Sequence, residues 1–417
     1  MSDEQSQPRW DTKTKIVSWA AWAAATFFVL YQLATQNSIG AMKTAMGQDL
    51  SMSMMELGIV SATFLFVYAA MQLPAGMMLD RYQPRLLLPP AALGVAGAAW
   101  LLSISSGFWS AVAARALMGA FAAVAFPGAG LIARRRLPAK NFALAMGLID
   151  LAFGAGAYFG ESGVRKLMAI QSWQDTMVDF AFVGVGIAFI CWLFIGSTSK
   201  RGQRASAEAL SKPLRQSMKE VWSVRQVRLA AVTSGAMMAM LFGFGGLWDI
   251  SLQEAFGYSH EQSNSFNSWI FIGVAIMPPF AGWAADKWRR RRSILLGGQA
   301  ASLVAVLIIL IVPAPSPSWF IIGTLLVLGL GIGTAVLTFP IACDAVSPAN
   351  AGAAIGLVNA VAIFSAGVFQ AGPGLVFYFV GDYSLLIMQV VLGIFALVMV
   401  IGSIATWKMA PCSLVLR

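Results

Sequence analysis

Apolar residues gather along this chain into twelve runs of membrane-crossing length. A helix rising ~1.5 Å per residue needs about 20 apolar residues to cross a hydrocarbon layer ~30 Å thick. Runs of that size lie at about 16–38, 57–79, 86–104, 108–132, 142–164, 177–196, 229–252, 267–285, 293–312, 319–341, 352–376 and 384–407. Most connections are a few residues long, but 197–228 is polar, basic and marked by Pro213. The pattern predicts an N-terminal tail (1–15), six spans (16–196), a basic linker (197–228), six more spans (229–407) and a C-terminal tail (408–417). The first run follows Arg9, Lys13 and Lys15, as a signal peptide would, yet at about 23 residues it is too long for a signal core. No small-residue cleavage site follows cleanly, so a retained helix is expected.

Composition agrees with lipid as the main solvent. The 417 residues are 58% hydrophobic and only 11% charged, against roughly a quarter charged in soluble proteins. Disorder, a disulfide scaffold and a water-soluble enzyme are excluded by the same numbers. The formal charge of +10 would suggest nucleic acid as a partner in a soluble protein. Its distribution argues otherwise. With the N-terminus placed in the cytoplasm, 24 of the 28 Lys and Arg fall on that side and only Lys43, Arg165 and Lys166 on the other. That bias encodes topology, with both termini cytoplasmic. Arg115 alone lies inside a span. Cys191, Cys343 and Cys412 form no metal spacing, and His260 is the single histidine. No cofactor or metal is therefore expected, and no phosphate-binding G-x-x-x-x-G-K-[ST] motif indicates ATP use.

The chain repeats itself. Gly76-Met-Met-Leu-Asp80-Arg81 with Arg85 follows the second run, and Gly282-Trp-Ala-Ala-Asp286-Lys287 with Arg291 follows the eighth, 206 residues on. Phe126-Pro127 in the fourth run is answered by Phe339-Pro340 in the tenth. Pro138 followed by Gly147-Leu-Ile-Asp150 is answered by Pro348 followed by Gly356-Leu-Val-Asn359. The halves are two copies of a six-span unit in one orientation. With these loops the chain resembles the major facilitator superfamily over all twelve spans, and Arg115 with Gly119 is similar to the start of a second motif of that family. The stretch from Tyr68 through Gln72, Pro74 and Gly76 to Asp80 resembles bacterial members. The resemblance implies an all-α integral membrane protein of twelve helices in two six-helix bundles around a central cavity opening alternately to each side. It also implies a bacterial inner membrane, or an internal membrane derived from it, and a monomer. The two loops, through Gly76, Asp80, Arg81, Arg85, Gly282, Asp286, Lys287 and Arg291, would form the cytoplasmic gate, or merely a positive-inside anchor in the second copy.

Charges within spans are costly and point to function. Arg115 and Glu161 match in depth and can pair, structurally or otherwise. Asp150 and Asp249 are the remaining candidates for proton coupling or buried charge; Asp150 can equally hydrogen-bond a glycine-thinned helix contact, and Asp249 can be merely solvated. The first, fourth, seventh and tenth helices line the cavity in the family. On them Tyr31, Gln32, Gln36, Arg115 and Trp248 are the expected substrate contacts, Gln32 serving as readily in an interhelical hydrogen bond. The fifth run has glycines without the proline of the family's antiporters, which weakens a drug-exporter reading. The leading expectation is a secondary transporter of a small polar solute, driven by protons or a solute gradient. An interior guanidinium favours an anionic or zwitterionic cargo. The alternatives are a carrier for a metal ion or iron chelate, with Asp150 and Glu161 as ligands, and a non-transporting receptor or assembly factor.

Overall fold

The computed structural model describes residues 12–196, 213–312, 316–382 and 384–410. Those residues form helices and turns without a strand, and twelve helices are long and apolar enough to cross a membrane. They are Thr14–Asp49, Glu56–Arg81, Pro84–Ser103, Phe108–Arg136, Ala139–Leu167, Trp173–Phe194, Arg225–Gly246, His260–Trp288, Arg291–Ile311, Ser318–Asp344, Pro348–Phe377 and Leu385–Trp407, here the first to twelfth spans. Large side chains such as Phe66, Trp109, Phe182 and Phe379 stand outward. Such an apolar exterior suits lipid and not water.

Local chemistry sets where the helices begin and bend. Ser53 and Ser259 each accept the backbone N–H three residues on, while Glu56 and Gln262 reach back to the Ser53 and Ser259 amides. These reciprocal caps start the second and eighth spans. The fourth span breaks at Ala123 and Val124, and the tenth tightens over Thr334–Leu337. Both breaks lie where a proline downstream, Pro127 or Pro340, has no N–H to give the carbonyl four residues back.

Two spans depart from the apolar pattern. The first span continues past 38 to Asp49, because polar side chains there bond within their own helix: Thr35 to the Gln32 carbonyl, Asn37 to Leu33 and Ser38 to Thr35. The seventh span starts at Arg225, directly after a linker helix, Leu214–Ser223. It runs on through wider, π-type turns over Ala239–Trp248 into Asp249–Ala255. The predicted tails at 1–11 and 411–417, and the linker stretch 197–212, lie outside the described residues.

In the first half the third span packs on the fourth and sixth, and the first on the fifth and sixth. In the second half the ninth packs on the tenth and twelfth, and the seventh on the eleventh and twelfth. The halves meet where the second span crosses the eleventh and the fifth crosses the eighth.

Candidate functional site

The halves are fastened on the face that carries most of the basic residues. Asp80 ends the second span and is 2% exposed. Its carboxylate accepts the backbone N–H groups of Gly352 and Ala353, each at 2.8 Å. These amides open the eleventh span, where N–H groups lack intrahelical partners and the helix dipole is positive. Arg135 of the fourth span adds an ion pair at 3.5 Å. The sequence directs attention to Arg81 and Arg85 as the cations around Asp80; in the structure Arg135 makes the ion pair, Arg81 is close enough for its charge to act on the carboxylate, and Arg85 is exposed.

The second copy docks by the same logic. Asp286 accepts the Leu144 amide at 3.0 Å near the start of the fifth span and holds Arg291 at 3.3 Å. Arg291 also pairs with Asp344, which takes Arg134 of the first half at 2.7 Å. Lys287 turns away to the face of Trp283, 4.6 Å from its centroid. Gly76 and Gly282 permit this closeness. A Cβ on Gly76 would run into the Gly352 carbonyl, and one on Gly282 into that of Ala143.

Above these latches a polar ladder climbs the second span. Tyr68, Gln72, Gly76 and Asp80 recur every four residues and so share one face. They meet Asn359, Gly356 and Gly352 of the antiparallel eleventh span. The Gln72 carbonyl stands where a Cβ on Gly356 would be, and the Tyr68 hydroxyl faces the Gln72 and Asn359 side chains. All three side chains are buried, yet the Tyr68 hydroxyl, both Gln72 amide atoms and Asn359 Nδ2 make no well-formed hydrogen bond. Twelve helical residues place Tyr68 ~18 Å above Asp80, about midway through the hydrocarbon. Asp150 is the counterpart of Asn359 on the fifth span. Its side chain is half-buried, and no ion pair among the described residues reaches it. Phe126 and Phe339, the repeated aromatics, touch across the halves with centroids 5.0 Å apart. They lie ~14 Å above Arg135, level with the polar ladder between Gln72 and Tyr68.

Arg115 is 1% exposed and projects into the first half. Its guanidinium donates to the Thr35 and Gln36 carbonyls, both at 3.1 Å, and lies over Phe64, 4.7 Å from the centroid. Phe64 stacks on Tyr68 at 5.8 Å, so the charge stands one ring behind the polar ladder. No pair with Glu161 forms. Glu161 sits in a wide turn of the fifth span and holds Arg165 at 2.5 Å. It is eleven residues from Asp150, ~16 Å along the helix, too far for both carboxylates to ligate one metal.

The other expected contacts are distributed by helix face. Tyr31 donates to the Phe180 carbonyl at 2.8 Å and packs on the sixth span, turned from the centre. Gln32 is wholly buried with both amide atoms unpartnered, whereas Gln36 is half-buried and lends its carbonyl to Arg115. The Trp248 indole donates to the Gln370 carbonyl of the eleventh span at 3.0 Å. Asp249, one residue on, is fully buried beside Gln253. Sequence reasoning passed over Arg134, Arg135 and Asp344, which a topology count absorbs as surface charge. It also left Gln72 and Asn359 without a role, although the four-residue spacing from Tyr68 to Asp80 could have signalled a helix contact.

Residues 24–370 match the family profile described as the Major Facilitator Superfamily. A probable sulfoacetate transporter, SauU, of Cupriavidus necator is 22% identical over 186 residues, 45% of this chain and 43% of that protein. The D-galactonate transporter of Escherichia coli O6:H1 is 26% identical over 150 residues, 36% of this chain and 33% of that protein. The matched stretches thus span less than half the length of these curated relatives. The human organic anion transporter MFSD10 (TETRAN) has a similar structure, with a TM-score of 0.71 at 13% identity, covering 96% of this chain and 100% of that one. The transporter FucP in its outward conformation gives a TM-score of 0.67 at 12% identity, covering 93% and 98%.

Proposed function

The chain belongs to the Major Facilitator Superfamily, and from that premise we propose that it is a secondary transporter of a small organic anion, working by alternating access. The observation that carries the cargo class is Arg115. It is buried against backbone carbonyls and a ring, with no carboxylate among the described residues paired to it. An interior positive charge without a fixed counter-ion lowers the cost of bringing an anion nearby. Tyr68, Gln72 and Asn359 offer unpartnered hydrogen-bonding atoms one ring away. Sulfoacetate and galactonate, named for the two relatives, are small anions of the kind such a site suits.

Asp150 is the proposed proton carrier, because it is the half-buried span carboxylate without an ion partner at the level of Asn359. The basic face is assigned to the cytoplasm of a bacterial inner membrane. The two latches then close the cytoplasmic side. The cycle breaks both, rocks the halves and exposes the polar ladder inward.

The test is uptake into proteoliposomes under an imposed pH gradient, with sulfonates, sugar acids, zwitterions and neutral sugars offered in parallel. Accumulation of an anion but not of neutral sugars is expected, and Asp150→Asn should abolish the response to the pH gradient. No movement of any solute, with or without a gradient, would overturn the transporter reading.

A further inference from the structure

We infer that the hairpin joining the seventh and eighth spans binds a monovalent cation of sodium size, in a cage of oxygens from Asp249, Gln253, Ser263 and Asn267. The seventh helix ends with Asp249–Ala255, the chain reverses over 256–259, and the eighth helix starts at His260. The Tyr258 amide closes the turn on the Gln253 carbonyl at 3.2 Å. The register follows from one close approach: the Ile270 side chain comes within 3.3 Å of where a Cβ on Gly245 would stand. In antiparallel helices of similar rise, residues later on one strand of the hairpin face residues earlier on the other. Asp249 therefore falls opposite Asn267, and Gln253 opposite Ser263. Each pair is also spaced by four residues, so each shares one helix face.

The four side chains are 0%, 1%, 0% and 6% exposed in the order Asp249, Gln253, Ser263, Asn267. Asp249 Oδ2, Gln253 Oε1, Ser263 Oγ and Asn267 Oδ1 each lack a hydrogen-bond partner. All four orphaned atoms are oxygens, and they include one carboxylate. Asp249 accepts a single weak bond, from Gln253 Nε2 at 3.4 Å. A bare carboxylate buried this way is costly, and each unpaired acceptor adds to that cost. A proton on Asp249 would supply one donor and satisfy one acceptor. A hard cation is shared by every oxygen at once and balances the single negative charge. Calcium takes six to eight oxygens and usually several carboxylates, so one carboxylate among neutral oxygens selects the monovalent ion. The ion would fix the end of the seventh span just beyond its wide-turned stretch, next to Trp248 and its bond to Gln370. The site does not depend on what the chain transports.

The experiment is thermal unfolding of the purified full-length chain in detergent, in sodium, potassium and choline chloride at equal ionic strength. A saturable rise of the midpoint with sodium is expected, absent in choline. Asp249→Asn should remove the rise. Ser263→Ala should raise the half-saturating sodium concentration about ten-fold, the loss of one ligand, with the choline midpoint unchanged. Equal midpoints in the three salts would overturn the inference, even if Asp249→Asn failed to fold. So would a midpoint indifferent to sodium but dependent on pH between about 5 and 8 in a way that Asp249→Asn removes, which would assign a proton instead. The exposed Glu254–His260 pair on the same hairpin is present in both proteins and cancels from that comparison.

Discussion

The Arg115 guanidinium is held by geometry as much as by charge. Two nitrogens of one planar fork reach two successive carbonyls of the first span, and its face lies on Phe64. A lysine has the charge without the fork or the planar face. Arg115→Gln should lower anion uptake by at least about ten-fold, and Arg115→Lys should recover little of it, since each hydrogen bond from a charged group is worth ~1.5–3 kcal/mol. Recovery of wild-type uptake by the lysine variant would reduce the role to charge alone. Asp80 invites a second test through the native Cys343, which is buried beside the latches on the tenth span. With Cys412→Ser as background, Cys343 alkylation reports opening of the basic face, and Cys191, buried against the Ala24 carbonyl within the first half, is the internal control. Asp80→Asn retains one acceptor but loses the charge that meets the dipole of the eleventh span. Alkylation of Cys343 should accelerate about ten-fold, as the loss of ~1.4 kcal/mol implies. At this scale the sequence was partly legible. It marked Arg115 and Asp80 as unusual, because a charge within or ending an apolar run stands out. It was silent on their partners, because those are backbone carbonyls and amides of distant helices, which no side-chain pattern records.

Helix shape carries the next level of function. The fourth and tenth spans lose regular α-helical turns at the matched positions before Pro127 and Pro340, and Phe126 and Phe339 meet between the halves. Pro127→Ala would restore an N–H for the Ala123 carbonyl, worth about 1 kcal/mol, and straighten the fourth span. Cross-linking between Phe126→Cys and Phe339→Cys should then slow markedly relative to the proline-containing pair; an unchanged rate would mean that neighbouring helices set the bend. The prolines, and hence the echo between the copies, were visible in the chain. The lengths of the first and seventh helices were less so. Hydropathy ends the first run at about 38, just after Gln36, Asn37 and Ser38, yet Asn37 and Ser38 bond within their own helix and let it continue to Asp49. Likewise Gly243, Gly245 and Gly246 stand in the seventh helix, and the structure widens the helical turns there.

At the scale of the molecule, two latches related by the repeat close one face. Asp80 joins the second span to the eleventh, and Asp286 joins the eighth to the fifth. Their direct partners do not overlap: Gly352, Ala353 and Arg135 on one side, Leu144 and Arg291 on the other. Effects at such separate contacts usually add to within ~0.5 kcal/mol. In the proposed cycle the halves move as bodies, however, and a body can rock only if both fastenings release. If each latch contributes independently to the closed state, the acceleration of Cys343 alkylation in Asp80→Asn with Asp286→Asn should equal the product of the two single effects. If Arg134 and Asp344, which tie the first half to Arg291, relay strain between the latches, the double variant will fall short of that product by more than about two-fold. We expect the product, because the Arg134–Asp344 bridge is partly wetted and such pairs contribute ~0–1 kcal/mol. Adding Asp344→Asn to the double variant is the decisive arm: with independent latches it changes the rate by less than about five-fold, whereas a relay through Asp344 would make the third substitution as large as either latch.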